Sequence, residues 1–120
     1  MPRTAMQVTV YLSAAERLAF QVYARKFLLD AAGLLALLFA REMRVGRLRE
    51  LIPMDNAPDG SRKSKVTAHL KGSEHAALTA LASKHSLSLS HIGAVLVRDE
   101  LRDEWLKRSC ATRLESRKNN

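Results

Sequence analysis

Polar and apolar residues alternate from Gln7 to Leu12, with Val8, Val10 and Leu12 on one side and Gln7, Thr9 and Tyr11 on the other. A two-residue period is the signature of a strand with one buried face. Ser13-Ala-Ala-Glu16 follows at once. This spacing is a capping box, in which the serine hydroxyl accepts from the N3 amide and the glutamate reaches back to the N-cap amide. It predicts a helix over about Ala14 to Phe27, offering Leu18, Val22 and Tyr23 or Phe27 to a core. Asp30 can cap a second helix from about Ala31 to Val45, closed by Gly46. The apolar run within it, Ala31 to Ala40, is far shorter than the roughly 20 residues that span a bilayer, so it reads as a helix buried nearly all round.

Leu51 to Ser64 breaks the pattern. Pro53, Pro58 and an Asp59-Gly60 turn signal, with no apolar period, predict an exposed linker over residues 51–64. Alternation resumes at Lys65, with Val66, Ala68 and Leu70 facing inward and Lys65, Thr67 and His69 outward. The next helix starts less cleanly, because Lys71 stands where a capping serine is wanted and Ser73 is the substitute. Ser88 should cap a last helix, roughly Leu89 to Leu106, ahead of a polar, basic and frayed tail.

The two stretches are copies of one unit. Val8–Leu48 laid over Val66–Leu106, at a constant offset of 58, pairs 41 positions, of which 13 are identical. The identities include Thr9/Thr67, Leu12/Leu70, Glu16/Glu74, Ala24/Ala82, Glu42/Glu100 and Arg44/Arg102. A strand and two helices cannot bury their own apolar face, so two copies completing one core predict a pseudo-dimer within one chain. The expected division is a first unit over 6–50, the linker over 51–64, a second unit over 65–108 and a flexible basic tail over 109–120. The fold class is then mainly α with a short two-stranded antiparallel β-ribbon, because one five-residue strand per unit must pair with the other and rest on helices.

Composition narrows this further. Aromatic residues make up only 5% of the chain against 47% hydrophobic, so the core is Leu, Ala and Val, which favours helices. The net charge is +8, with 8 basic and 4 acidic residues up to Pro53 and 12 and 8 beyond it. Each half therefore carries the same surplus, which suggests a polyanionic partner, nucleic acid before membrane. Cys110 is the single cysteine. That excludes an internal disulfide and a Cys-based metal site, and it fits a reducing, cytoplasmic setting.

The outward strand residues are Gln7, Thr9, Tyr11, Lys65, Thr67 and His69, all able to hydrogen-bond. A two-stranded ribbon fits the B-DNA major groove, where base edges carry an unambiguous donor and acceptor code. Strand, S-x-x-E, helix, a Ser- or Asp-capped break and a second helix, present twice, resemble the ribbon-helix-helix DNA-binding family over about Gln7–Val45 and Lys65–Asp103. The resemblance implies base reading by those six residues and a phosphate clamp at the start of each second helix, here at Ala32 and Gly33 and at Ser88, Ser90 and His91. Arg3, Lys63 and Lys71, which flank the strands, join the expected phosphate contacts. Asp30 places a carboxylate beside one clamp, and Tyr11 and His69 are bulkier than the residues common at their positions in the family.

Family members are usually homodimers. The fused form resembles relaxosome accessory proteins of conjugative plasmids and the overdrive-binding proteins of T-DNA border processing. That implies double-stranded DNA as partner, a relaxase or nicking-endonuclease complex nearby, no cofactor, a monomer in solution and side-by-side assembly on DNA. A repressor of the same fold and an antitoxin-type interaction module are the alternatives. The latter needs an apolar segment to wrap a toxin, and Lys107–Asn120 offers little beyond Cys110 and Leu114. His69, His75, His85 and His91 show no metal-ligand spacing, and no nucleophile has a base at recognisable spacing. The expectation is a protein that is not an enzyme and does not enter a membrane.

Overall fold

The computed structural model describes residues 5–55 and 63–110. The chain runs β1 (Ala5–Leu12), α1 (Ala14–Arg25), α2 (Ala31–Arg44), α3 (Leu48–Met54), β2 (Ser64–Lys71), α4 (Gly72–His85) and α5 (Leu89–Asp103), then a helical run over 105–110. It is mainly helical, with β1 and β2 paired as a two-stranded antiparallel sheet.

Register ties the sheet to the repeat. Thr9 faces Thr67, with Gln7 opposite His69 and Tyr11 opposite Lys65. Thr9 and Thr67 are also equivalent under the 58-residue offset, so the pairs on either side of them exchange with each other. The inward residues Val8, Val10, Leu12, Val66, Ala68 and Leu70 are all buried. α5 packs mainly beneath β1 and α2 beneath β2, so each second helix supports the strand of the other half.

The caps form as their residues dictate. Ser13 Oγ accepts from the Glu16 amide at 3.1 Å and Glu16 Oε1 from the Ser13 amide at 2.9 Å. Asp30 and Ser88 cap α2 and α5. The turn into each second helix passes through a left-handed residue at equivalent positions, Leu28 (φ 61°) and Ser86 (φ 57°). For leucine this is a strained backbone.

Five expectations need correction. The stretch from Leu51 is not all linker: α3 occupies Leu48–Met54, with Leu48 and Leu51 buried three residues apart and Pro53 in its last turn. Residues 56–62 lie outside the described residues, and β2 begins at Ser64. Leu18 and Val22 face solvent, at 62% and 53% exposure, because α1 turns Phe20, Tyr23 and Ala24 inward instead. α1 stops at Arg25, and residues 26–28 form the turn. Lys71, not Ser73, is the N-cap of α4; only the glutamate half of a box is available there, Glu74 Oε1 accepting from the Lys71 amide at 3.0 Å. Finally, α5 ends at Asp103, where Glu104 turns left-handed (φ 52°), and the chain is helical again to residue 110, where a frayed tail was expected. Residues 111–120 lie outside the described residues.

Candidate nucleic-acid interface

The centre of the ribbon's outer face carries three cross-strand pairs, Gln7 with His69, Thr9 with Thr67, and Tyr11 with Lys65, and Lys71, opposite Ala5, continues the same face. Gln7, Tyr11, Lys65 and His69 are exposed. Thr9 and Thr67 are half-buried at the centre, their hydroxyls 3.1 Å apart. All six residues singled out from the sequence thus share one surface. Pleating puts them there, since alternate residues of a strand face opposite sides and Val8, Val10, Leu12, Val66, Ala68 and Leu70 of the other set are buried.

What lies beneath keeps this surface in place. A Cβ built on Gly93 of α5 would overlap Val10 Cγ2 and crowd Phe39 Cζ at 3.2 Å. The backbone of α5 therefore approaches β1 as closely as glycine allows. At the free edge of β1, Ser90 Oγ accepts from the Tyr11 amide at 3.2 Å, linking the start of α5 to the ribbon.

The two helix starts flanking the ribbon differ. At α2, Asp30 Oδ1 accepts from the Gly33 amide at 2.6 Å; at α5, Ser88 Oγ accepts from the His91 amide at 3.0 Å. In each case the cap occupies the third amide of the helix. The earlier amides, which include those of Ala32 and Ser90, have no intrahelical acceptor. One start carries a carboxylate and the other a neutral hydroxyl. Ala32 and Gly33 are half-buried, while the imidazole of His91 is exposed. Lys63, just before β2, and Lys71, its last residue, are exposed. Arg3 lies outside the described residues.

Three residues next to this surface were missed. Arg17, Gln21 and Arg25 of α1 line a cavity of about 300 Å³, closed on its other side by the start of α2 and by Lys65–Thr67 of β2. Arg17 Nε donates to the Lys65 carbonyl at 3.0 Å. Their spacing of four residues was visible, but on a helix expected to present Leu18 and Val22 to the core it marked only the outside.

A second polar cluster lies in the core. Arg41, Glu42, Asp99 and Glu100 are at most 3% exposed. Glu42 Oε2 accepts from the Arg47 and Leu48 amides at 2.8 and 3.1 Å, and burial pushes its carboxyl above the usual range. The repeat-equivalent Glu100 accepts from the Leu106 amide at 2.9 Å, the Tyr23 hydroxyl at 2.6 Å and Arg41 Nη1 at 3.2 Å. Leu48 and Leu106 are themselves equivalent, so each glutamate caps the helical segment that follows its own second helix. Burial, then the hydrogen bond to Glu100, holds the Tyr23 phenol well above its ordinary range. Arg41 lies over the Trp105 ring, 4.7 Å from its centroid. These bonds tie the cluster to helix ends and core side chains and hold helices together, while Arg41 Nε and Nη2 and Glu42 Oε1 are buried without a hydrogen-bond partner.

Among the described residues no group of three or more His, Cys, Asp or Glu could hold a metal ion, and no helix is long and apolar enough to cross a membrane. Comparison with models of known families, with curated proteins and with solved structures finds no match.

Proposed function

We propose that the chain is a single-chain tandem ribbon-helix-helix protein, a pseudo-dimer that reads double-stranded DNA by laying β1 and β2 in the major groove. In this reading it is an accessory factor to the nicking complex of conjugative plasmid transfer or T-DNA border processing. The observation that carries the proposal is the outer face of the ribbon: six hydrogen-bonding side chains in three pairs on a sheet whose opposite face buries Val8, Val10, Leu12, Val66, Ala68 and Leu70. The register centred on Thr9 and Thr67, the shared 58-residue offset and the crossed support of strands by helices favour the pseudo-dimer.

The chemistry follows from the side chains. Gln7 can pair with the N6 and N7 edge of adenine, Lys65 can donate to guanine O6 and N7, and a threonine can bond an edge or pack on a thymine methyl. Tyr11 and His69 add a phenol and an imidazole. The amides of Ala32 and Ser90 with Ser88, His91, Lys63 and Lys71 are suited to phosphates, which fix register without reading sequence. Asp30 weakens one clamp. Because Gln7 differs from Lys65 and Tyr11 from His69 at equivalent positions, the two half-sites need not match. A homodimer would impose a palindrome; an oriented site suits a factor that marks one strand for nicking.

The test compares two residues of one strand. Lys65→Ala should cost roughly 1–3 kcal/mol on a duplex selected from a random pool by the wild-type protein, and leave the fold intact. Leu70→Ala should destabilise folding by about 2–5 kcal/mol, through the cavity it opens under the ribbon. Titrations on selected and scrambled duplexes, beside thermal melts, separate the two effects. If Lys65→Ala weakens both duplexes equally, or neither, the ribbon is not the reading surface.

A further inference from the structure

Arg17, Gln21 and Arg25 recur every four residues, so they form one stripe along α1. The stripe borders the cavity whose opposite wall is the β2 edge at Lys65–Thr67. Among the described residues, Arg17, Arg25 and Lys65 have no carboxylate at ion-pair distance. The carboxylate on the cavity wall is Asp30, already engaged by the Gly33 amide at 2.6 Å. Three cations against one carboxylate leave a concavity of surplus positive charge beside the ribbon, where its field attracts phosphate. Arginine is the better residue for this task, because its planar fork can hold two phosphate oxygens.

The other half has no such stripe. Fifty-eight residues on from Arg17, Gln21 and Arg25 stand His75, Thr79 and Ser83 of α4, and the position equivalent to Lys65 is Gln7. The two flanks of the ribbon thus differ in permanent charge as well as in hydrogen-bonding pattern.

We infer that α1 carries a DNA-backbone clamp, made by Arg17 and Arg25 with Gln21 between them, which grips one flank of the bound duplex and has no charged counterpart on α4. The inference rests on the ribbon being the base-reading surface, and it supplies a second source of orientation. The duplex is held more tightly, and more salt-sensitively, on the side where α1 meets β2.

The experiment uses the full chain and the duplex selected by the wild-type protein. Arg17→Gln/Arg25→Gln removes both charges, Arg25→Gln removes one, and His75→Arg/Ser83→Arg builds the missing stripe on α4. Arg17 also holds the Lys65 carbonyl. Arg25→Gln, which breaks no hydrogen bond found among the described residues, is therefore the safer variant, and thermal melts check every fold. Each phosphate contact contributes about 0.9 to the slope of log K against log salt. The double variant should flatten the slope by roughly 1.8 and Arg25→Gln by about half of that. Hydroxyl-radical protection should be lost on one flank only, with the preference for selected over scrambled duplex kept. His75→Arg/Ser83→Arg should steepen the slope and extend protection on the opposite flank. An unchanged slope, or protection lost equally on both flanks, overturns the clamp and leaves base reading standing. If the wild-type protein selects no sequence, base reading fails and the clamp falls with it.

Discussion

Gly93 shows how one residue sets the height of the ribbon above its support. Alanine is favoured over glycine inside a helix by about 1 kcal/mol, whereas forcing a methyl into a filled core costs roughly 1–3 kcal/mol. Here the methyl would overlap Val10 Cγ2 on a fully buried strand position, so overpacking wins. Gly93→Ala should lower the melting temperature, and Val10→Ala added to it should restore much of the loss, a coupling that a double-mutant cycle of melts reads directly. Independent, additive losses would contradict the close approach. The repeat makes the same point by exchange. The positions equivalent to Val10 and Gly93 hold Ala68 and Leu35, both fully buried, so the repeat has a small strand residue and a large helix residue where the first pair has the reverse. None of this was legible in the sequence, where Gly93 is simply a helical glycine. The buried Glu42 and Glu100 were visible as an identity of the repeat, but their part in capping the next helical segment depends on a break in the helix that periodicity does not encode.

At the scale of elements, the strands and four of the helices were legible because their periods and caps are local. α3 was not. Pro53 and Pro58 argue for a linker by composition, while the spacing of Leu48 and Leu51 that buries α3 is too brief to show as a period. Its end is fixed instead by a distant residue. Arg98 of α5 holds both Asp55 oxygens, at 2.6 and 2.8 Å, and Glu16 of the α1 capping box at 3.2 Å, joining three elements through one guanidinium. The Arg98 hydrogen bonds hold the Asp55 carboxyl below its ordinary value. An acid with a depressed folded pKa contributes stability that is present above the unfolded value and lost as pH falls through the folded one. Asp55→Asn should therefore cost roughly 1.5–3 kcal/mol at pH 7, the range for a hydrogen bond to a charged group. The gap should close as the solution is acidified below the carboxylate range, where the wild-type side chain is protonated too. Urea melts of both proteins across that range check the sign. A constant gap would mean that shape rather than charge holds α3.

At the scale of the whole molecule, the two repeat-related stretches differ in the residues they place beneath the ribbon. The repeat and the outward strand residues were legible because both are periodic. The stripe of Arg17, Gln21 and Arg25 was not, because α1 turns a different face to the core than its Leu18 and Val22 suggest. Since α5 supports β1 and α2 supports β2, neither half carries the helix that belongs under its own strand. Separated as residues 1–58 and 59–120, each half would need a second copy of itself or the other half. A homodimer of the first would set Val10 over the Leu35 position, large against large; a homodimer of the second would set Ala68 over Gly93, small against small. One is overpacked and the other leaves a cavity, each a destabilisation of a few kcal/mol. Mixed, the halves regain the complementary pairing, missing only the high effective concentration that the covalent connection provides. Native mass spectrometry of the mixture should therefore show mainly the one-to-one complex, melting in a single transition at a concentration-dependent temperature below that of the intact chain. The intact chain should sediment as one copy, near 13.4 kDa. A first half that alone forms a homodimer as stable as the mixture would show that fusion is only a tether. The unequal packing under the ribbon would then have no part in fixing which strand lies on which side.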